Sequence, residues 1–228
     1  MAGVVLCTLN VRHDSKMVST LLKHSSAKGA IEIMLKLTAT VPQIVLIPDS
    51  SKPPALQKTG VIEYEALLAM GSLDFEIRRP NDECEPITLN YTSGTTSSPK
   101  GVVYSHRGAY LNSLAAVLLY EMRSMSVYLW VVPMFHCNGW CLTWGVAAQG
   151  GTNVCLRVVT AKGIFESISR HQVTHMGAAS TVLNTIINAP GVEQLPLLGK
   201  VTVLTGGDPP PSMCVTCMVS LRRTVREP

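Results

Sequence analysis

Short runs of unbroken apolar residues constrain the fold of this chain more than any other feature of its sequence. Each run has the length of a β-strand, and together they read QIVLIP, PITLNY, VYLWVV, TNVCL and VTVLT. Val, Ile and Leu in unbroken rather than alternating order are typical of strands covered on both faces, as in a parallel sheet. Segments with helical periodicity separate these runs from about residue 86 to residue 205. The sequence therefore predicts an α/β fold with a largely parallel sheet flanked by helices.

Helices are predicted where apolar residues recur at positions i, i+3, i+4 and i+7. Two segments show this spacing, at Leu111, Leu114, Ala115, Leu118, and at Ala161, Ile164, Phe165, Ile168. Thr160 is placed to cap the second helix, because a threonine hydroxyl accepts a hydrogen bond from a free amide of the first turn. Asp14 or Ser15 could begin an earlier helix, and Thr181 could begin a later one that Pro190 would end. The segment AKGAIEIMLKLTATVPQ also predicts a helix, and a proline-rich stretch follows it.

Composition argues against several classes of function. The 228 residues are enough for one large domain or two small ones, and 46% hydrophobic with 15% charged residues describes a globular protein. The net charge is +4, and Lys and Arg are scattered along the chain, which argues against nucleic-acid binding. The longest apolar region contains Pro133, His136, Asn138 and Gly139, which a membrane-spanning helix would tolerate poorly.

Seven cysteines without a signal peptide indicate free thiols in a reducing compartment. Cys214 and Cys217 form a single CxxC pair, but zinc needs four ligands and no second pair follows. His171 and His175 are four residues apart across the end of a predicted helix, so we do not expect them to share a face. No metal site is predicted, and a zinc-binding module is the third of three functional hypotheses.

The stretch NYTSGTTSSPKGVVYSHRG, residues 90–108, is the strongest candidate for a binding site. It follows the apolar run PITLNY and precedes a helix expected to begin near His106. In that context a Gly-rich turn can direct backbone N–H groups at a phosphate. Gly94 gives the backbone freedom, and Lys100 supplies a mobile positive charge. Hydroxyl donors come from Thr92, Ser93, Thr95, Thr96, Ser97 and Ser98.

The loop does not match the Walker A motif, in which Gly-Lys is followed by Ser or Thr. Here the order is Pro99, Lys100, Gly101, so the hydroxyl that would bind magnesium is absent. A polar surface turn is the competing interpretation, since clusters of Ser, Thr, Gly and Pro usually form such turns. Composition alone leaves both interpretations open.

Two further segments could contact a ligand. PMFHCNGW places His136 between a buried strand and an apolar helix, beside Trp140, so this histidine could lie at the mouth of an apolar cavity. LTGGDPPP ends a strand on Gly206 and Gly207, and ligands of α/β sheets bind beyond the carboxyl ends of strands. The alternatives are a strand-end histidine that faces water and a simple turn before the prolines.

These segments resemble the adenylate-forming acyl-CoA synthetases, the AMP-binding superfamily. YTSGTTSSPKG matches the phosphate-loop signature of that superfamily at every position except its second glycine, which is Ser97 here. VVYSHRGAYLNSLA, MFHCNGWCLTWGVAAQGGTNVCLR and VTHMGAASTVLN resemble plant acyl-activating enzymes of the short- and medium-chain or aromatic acid branch. The similarity is dense from about residue 61 to residue 211 and includes VLCTLNVRHDSKMVSTLLKHSSAK. It implies part of the N-terminal domain of the adenylate-forming fold.

The resemblance also implies a two-step reaction. A carboxylate attacks the α-phosphate of ATP, pyrophosphate leaves, and coenzyme A takes the acyl group from the acyl-adenylate. Positioning and charge neutralisation matter more in such chemistry than covalent help from the protein. By this resemblance His136 is the catalytic residue, between the phosphates and the acyl pocket, and Gly139 and Trp140 shape that pocket. The residues implied to bind the nucleotide are Thr92, Ser93, Gly94, Thr95, Thr96, Lys100, Gly206, Gly207, Asp208 and Pro209.

Several positions depart from the family pattern. Asp208 stands where the family has alanine in Gly-Gly-Ala-Pro, Ser180 stands where relatives have proline, and GAIEIMLKL replaces a short strand. The sequence lacks the Tyr-Gly-x-Thr-Glu motif, whose glutamate binds magnesium, and the C-terminal domain with its adenylation lysine. We therefore expect an N-terminal-domain fragment. In it, residues 1–60 form a divergent partial subdomain, residues 61–211 the AMP-binding core, and residues 212–228 a tail unlike the family.

The expected function is that of a carboxylate–CoA ligase that uses ATP, Mg²⁺ and coenzyme A. Turnover in this chain is expected to be weak or absent, because loss of even one electrostatic partner can lower a rate about 100-fold. The competing hypothesis is a non-catalytic truncated isoform that binds nucleotide, or associates with the full-length enzyme through apolar surface exposed by truncation. Many relatives are peroxisomal, but this chain ends Arg226-Glu227-Pro228 without a Ser-Lys-Leu-type signal, so we expect it in the cytoplasm.

Overall fold

A computed structural model describes residues 4–10, 12–25, 27, 29–32, 43–47, 61–92, 99–197 and 199–206. It contains two compact units, Met1–His106 and Arg107–Pro228. Strands in both units are mostly parallel and alternate with helices, which confirms the α/β prediction. None of the helices in these described ranges is long and apolar enough to cross a membrane. The domain boundaries predicted near residues 60 and 211 fall outside the described ranges and stay predictions.

The described residues of the first unit form two three-stranded sheets. Its elements are, in chain order, β1 (Leu6–Thr8), α1 (Ser15–His24), β2 (Gly29–Glu32), β3 (Gln43–Leu46), β4 (Val61–Glu63), α2 (Tyr64–Ala69), β5 (Pro86–Tyr91) and β6 (Gly101–Ser105). One sheet has the order β1-β5-β6, in which β1 and β5 are parallel whereas β5 and β6 are antiparallel. The other sheet has the order β2-β3-β4 and is parallel.

Helix α1 begins at the predicted cap. The backbone N–H of Met17 donates a hydrogen bond to Asp14 Oδ1 at 2.7 Å, and Asp14 itself has an extended backbone. A carboxylate in this position satisfies an amide that has no partner inside the helix. Asp14 rather than Ser15 is therefore the cap, and Leu21 carries the buried face of the helix.

The segment AKGAIEIMLKLTATVPQ, predicted as a helix, begins as a strand instead. Gly29–Glu32 pairs in parallel with Gln43–Leu46. The helical prediction is wrong over these residues, because a pairing partner further along the chain supplies backbone hydrogen bonds that local periodicity cannot reveal. A short strand thus forms at the start of GAIEIMLKL, the segment that the family pattern led us to regard as replacing one. Residues 33–42 and 48–60, with the proline-rich stretch, lie outside the described residues.

The described residues of the second unit are built on a parallel sheet. Its elements are α3 (His106–Leu119), which begins at the last residue of the first unit, β7 (Val127–Trp130), α4 (Cys137–Trp140), α5 (Leu142–Ala148), β8 (Thr152–Cys155), α6 (Ala161–His171), β9 (His175–Gly177), α7 (Ser180–Ile187), a 3-10 turn (Gly191–Glu193) and β10 (Thr202–Leu204). The four described strands have the order β10-β9-β7-β8. Strands β3, β5, β7, β8 and β10 coincide with the apolar runs of the sequence, so all these strand predictions are confirmed.

Helices cover both faces of this sheet. Successive residues of β7 point to opposite faces, so Tyr128 and Trp130 lie in one hydrophobic core and Leu129 lies in the other. Helices α3 and α5 pack on the first core, and α6 and α7 pack on the second. The chain moves from β7 to β8 on one side and then to β9 on the other. Because crossovers between parallel strands are right-handed, connections that run in opposite directions place their helices on opposite faces.

Helix α3 buries a different face from the predicted one. The exposed fraction is 56% for Leu111 and 77% for Leu118, both assigned to the core by their spacing. The buried positions are instead Ala109, Ser113, Ala116 and Val117. A Cβ atom at Gly145 of α5 would lie 3.3 Å from Val117 Cγ2, so the two helices pack closely. Small side chains allow that approach and leucines do not, which is why the predicted face is wrong.

Helix α6 confirms both its predicted face and its predicted cap. The backbone N–H of Gly163 donates to Thr160 Oγ1 at 3.1 Å. All four apolar positions of the prediction are buried, at Ala161, Ile164, Phe165 and Ile168. Helix α7 begins at Ser180, just before the predicted Thr181, and ends before Pro190 as expected.

Candidate functional site

The carboxyl ends of the strands in the second unit form one candidate site. Strand β7 lies between β8 and β9, and the chain leaves β7 first toward β8 and later returns to the other side as β9. The strand order therefore reverses between β7 and β9. In open α/β sheets, ligands bind in the crevice beyond the carboxyl ends of the strands at such a point. The name switch-point edge is used below for the residues that follow β7, β9 and β10, which are residues 131–141, 178–179 and 205–206.

A left-handed turn follows β7 at the switch-point edge. The backbone φ is positive at every residue from Cys137 to Cys141, with values of 47°, 45°, 60°, 56° and 60°. At Asn138 ψ is 49° and at Gly139 it is 35°, so α4 is a left-handed helical turn. This conformation costs roughly 1–2 kcal/mol for each residue that has a side chain. The turn therefore depends on its surroundings, and strain of this kind is concentrated at ligand-binding sites.

Contacts from β7, β8 and α3 hold the left-handed turn. A Cβ atom at Gly139 would lie 2.5 Å from Trp130 Cζ3, so the indole of Trp130 packs directly on the Gly139 backbone. The Nε1–H of Trp130 donates a hydrogen bond to Asn153 Oδ1 at 2.8 Å. The Ser113 hydroxyl lies 3.1 Å from the carbonyl oxygen of Cys141, and 2.7 Å from the carbonyl four residues earlier in its own helix. The turn is thus fixed near its middle and at its end.

The Trp140 side chain covers the ends of two strands. A Cβ atom at Gly177, the last residue of β9, would lie 3.4 Å from Trp140 Cζ3, and one at Gly206 would lie 3.5 Å from Trp140 Cη2. The indole therefore lies against backbone that carries no side chain. Below it the buried Tyr128 hydroxyl forms a hydrogen bond with the Gly177 backbone, and burial raises the pKa of this phenol. The result is a flat apolar wall at the switch-point edge, suited to the apolar part of a ligand.

His136 lies immediately before the left-handed turn. Its side chain is exposed, its backbone N–H donates to the Pro133 carbonyl at 3.1 Å, and its own carbonyl accepts from Gly139 N–H at 2.9 Å. The second unit thus brings together four predicted site residues: His136, Gly139, Trp140 and Gly206. The other three predicted in this region, Gly207, Asp208 and Pro209, lie outside the described residues, as do Cys214 and Cys217.

The candidate phosphate loop belongs to the first unit and joins two antiparallel strands. Thr92 and Lys100 are exposed at its two ends, and Thr92 N–H donates to the Lys100 carbonyl at 3.1 Å. Strand β6 lies between the loop and α3 along the chain, and α3 begins at His106 as predicted. A pairing partner in β5, which periodicity did not reveal, extends GVVYS as a strand. The loop interior, Ser93, Gly94, Thr95 and Thr96, lies outside the described residues.

A histidine and a tyrosine meet where β5 enters the phosphate loop. His24 Nδ1 lies 2.8 Å from Tyr91 Oη, and the two rings contact edge to face with centroids 5.6 Å apart. Burial raises the pKa of Tyr91, and a hydrogen bond from Ser25 opposes that shift. Sequence reasoning missed this pair and also Trp130 with Asn153, because each partnership depends on which strands and helices become neighbours.

No metal site forms in the described parts of the chain, where no three His, Cys, Asp or Glu side chains gather. His171 is exposed at the end of α6, whereas His175 is buried and its Nε2–H donates to the Tyr120 carbonyl at 3.0 Å. Burial is the main cause that lowers the pKa of His175. The Tyr120 hydrogen bond and Glu121 oppose this shift, and the positive charge of Lys200 adds to it. The two histidines therefore have different surroundings.

Solved structures of two bacterial proteins share this fold. The inhibitor-bound N-terminal domain of FACL13 from Mycobacterium tuberculosis matches with a TM-score of 0.76 at 21% identity, and covers 96% of this chain and 55% of that one. O-succinylbenzoate CoA synthetase (MenE) from Bacillus subtilis, in complex with AMP, matches with a TM-score of 0.71 at 22% identity, over 96% of this chain and 52% of that one.

Plant acid–CoA ligases are similar in sequence. Acetate–CoA ligase CCL3 of Humulus lupulus is 48% identical over 93% of this chain and 41% of its own length. The peroxisomal trans-cinnamate:CoA ligase of Petunia hybrida is 44% identical over 94% of this chain and 42% of its own length. The peroxisomal benzoate–CoA ligase of Arabidopsis thaliana is 41% identical over 94% of this chain and 40% of its own length. The chain thus spans about two fifths of the length of these relatives.

A family model described as AMP-binding enzyme matches residues 1–225, nearly the whole chain. This match and the plant relatives confirm the resemblance inferred from the phosphate-loop signature and the segments around His136. The chain therefore belongs to the family of AMP-binding enzymes.

Proposed function

We propose that the protein is a carboxylate–CoA ligase and that this chain supplies the part that binds nucleotide phosphates and the acyl group. The identity of 41–48% to plant ligases named for acetate, cinnamate and benzoate carries the proposal. In the first step a carboxylate oxygen bonds to the α-phosphorus of ATP and pyrophosphate leaves. In the second step the thiol sulfur of coenzyme A bonds to the acyl carbon and AMP leaves.

The phosphate loop is assigned to the leaving pyrophosphate. Lys100 is exposed, so its ammonium group can follow the charge that moves onto the leaving group. The backbone and hydroxyl groups of Thr92, Ser93, Gly94, Thr95 and Thr96 would add further donors. Preorganised donors of this kind lower the barrier because they stabilise charge as it develops.

The switch-point edge is assigned to the acyl group and the adenylate. His136 would act at the reacting carboxylate, while Gly139 and Trp140 form the wall beside the acyl chain. Residues of the Gly206–Pro209 loop, with Gly207 and Asp208, would contact the adenine. An apolar wall with one polar group near the reacting atoms suits an acid whose carboxylate must be desolvated before it attacks.

Magnesium would neutralise phosphate charge in such a reaction. Among the described residues no set of three potential ligands is close enough to hold a metal ion, so we assign no residue to magnesium. The chain spans about two fifths of its relatives, and we propose the two-step reaction for the whole protein. For the 228 residues alone we propose weak or absent turnover.

Binding of two nucleotides by calorimetry tests the assignment without requiring turnover. ATP carries the β- and γ-phosphates, whereas a stable acyl-adenylate analogue, benzoyl sulfamoyl adenosine, does not. If Lys100 contacts the leaving pyrophosphate, Lys100→Ala weakens ATP binding about ten- to 100-fold, the range for hydrogen bonds to charged groups, and leaves the analogue unaffected. Lys100→Arg keeps the charge as a matched control. Equal loss for both ligands, or no binding by the parent, contradicts the assignment.

A non-catalytic role as an associating protein is the second candidate. The observation in its favour is the apolar surface of α3, where Leu118 and Leu119 are each 77% exposed. Sedimentation at increasing protein concentration tests it, with Leu118→Lys as the variant. Concentration-dependent association that this variant abolishes would favour the second candidate.

Cytoplasmic location also stays a proposal, since the petunia and Arabidopsis relatives are named as peroxisomal.

A further inference from the structure

We propose that Trp130 and Asn153 are positioning residues of the site, which hold the left-handed turn Cys137–Cys141 so that the Trp140 indole stays against Gly177 and Gly206. The inference rests on the proposed function for what binds at this edge. Neither residue was identified as a site residue from the sequence, and neither is assigned to contact a substrate. Their role follows from a chain of contacts that begins at β8 and ends at the Trp140 indole.

The first step is the contact between Trp130 and Gly139. The left-handed conformation is unfavourable for every residue of the turn that has a side chain. The turn is therefore stable only if contacts with surrounding groups compensate this cost. At its middle residue a Cβ atom would lie 2.5 Å and 2.6 Å from two carbons of the Trp130 ring. The ring therefore forms the surface on which the Gly139 backbone rests.

The second step is the orientation of the Trp130 ring. The side chain is 4% exposed, and its Nε1–H donates to Asn153 Oδ1 at 2.8 Å. The ring also contacts Tyr128 edge to face, with centroids 4.8 Å apart and an interplanar angle of 67°. Asn153 lies opposite Tyr128 in the β7–β8 register, hence diagonal to Trp130. The hydrogen bond from β8 therefore fixes which part of the indole faces Gly139.

The third step links the turn to the strands. Trp140 follows Gly139 directly and places its ring against Gly177 and Gly206. If the turn relaxes toward ordinary right-handed dihedral angles, the direction of the Trp140 side chain changes and the wall is lost. Ser113 continues to hold the far end of the turn at Cys141, so loss of the Asn153 bond should loosen the turn without unfolding the unit.

Two cysteines allow the turn to be observed directly. Cys137 is exposed at its start, whereas Cys141 is 3% exposed at its end. Burial raises the pKa of the Cys141 thiol and so slows its alkylation further while the turn is closed. Iodoacetamide labelling followed by peptide mass spectrometry measures both sites in one sample. The exposed Cys84 in the first unit serves as the internal reference.

In Asn153→Leu we expect Cys141 to be alkylated about three- to tenfold faster than in the parent, the effect of one lost hydrogen bond on local opening. The rates at Cys137 and Cys84 should not change. Asn153→Asp keeps an oxygen acceptor for the indole and should restore the parent rate at Cys141. Trp130→Phe keeps an aromatic ring without its N–H, and is the second variant should Asn153→Leu not fold.

An unchanged Cys141 rate in Asn153→Leu, or in Trp130→Phe if it is the variant that folds, overturns the proposal. So does equal alkylation of Cys141 and Cys137 in the parent, because the turn would then not be held. An equal acceleration in Asn153→Asp and Asn153→Leu also overturns it, because the hydrogen bond would not be the cause. The labelling uses no nucleotide, so its outcome is independent of whether the proposed ligase function is correct.

Discussion

Gly139→Ala should destabilise the second unit strongly, although it adds a single methyl group. The residue has a φ of +60°, which alanine adopts at a cost of roughly 1–2 kcal/mol. The new Cβ atom would lie 2.5 Å from a carbon of Trp130, whose ring is 4% exposed and bound to Asn153. Overpacking of a buried site costs about 1–3 kcal/mol. We therefore expect a loss of about 2–5 kcal/mol in the free energy of unfolding.

Thermal unfolding followed by circular dichroism measures this loss. For a protein of this size each kcal/mol lowers Tm by about 2–4 °C, so the expected decrease is about 4–20 °C. Gly191→Ala is the matched control, because a Cβ atom there meets nothing within 4 Å. Compared with Trp130→Leu alone, which has a cavity cost of its own, the double variant Gly139→Ala with Trp130→Leu should lose less stability than Gly139→Ala loses relative to the parent, because the clash with the indole is absent. A Tm for Gly139→Ala within about 1 °C of the Gly191→Ala value would refute the reasoning, since a surface substitution changes stability by only about 0.5 kcal/mol.

Three further changes have defined outcomes. Thr160→Ala removes the cap of α6 and should lower the free energy of unfolding by about 1 kcal/mol, measured by thermal unfolding. Thr160→Ser keeps a capping hydroxyl and should restore the stability of the parent. Ser113→Ala removes a buried hydroxyl and should cost about 1 kcal/mol in the same assay. Burial lowers the folded pKa of His175 below its unfolded value of 6.5, so its stability contribution is present above pH 6.5 and is lost as pH falls below that value. Tm should therefore fall less steeply below pH 6.5 in His175→Gln than in the parent, and the exposed His171→Gln should match the parent.

The strands and two helix caps were predictable because their signals are local. An unbroken apolar run such as VYLWVV has few ways to be buried, and β7 forms there. Asp14 and Thr160 cap their helices because an amide of the first turn needs an acceptor wherever the helix later packs. The phosphate-loop signature is likewise local, which is why the order of residues along the chain is enough to indicate the family.

What the sequence could not reveal depends on neighbours distant in the chain. Helix α3 contains leucines at helical spacing, yet it turns its small residues inward because Gly145 lets α5 approach closely. Residues 29–32 form a strand because β3 pairs with them. The left-handed turn at Cys137–Cys141 has only one glycine, and its conformation follows from the Trp130 ring beneath it. No local pattern encodes such contacts.

Thermal unfolding with and without magnesium-ATP, in the parent and in Lys100→Ala, tests the proposed function most directly. A ligand at 100 times its Kd stabilises the folded state by about 2.7 kcal/mol, which corresponds to an increase in Tm of about 5–10 °C here. We expect that increase in the parent and a clearly smaller one in Lys100→Ala at the same ATP concentration. No increase in the parent, or equal increases in both proteins, would contradict nucleotide binding through the loop at residues 92–100.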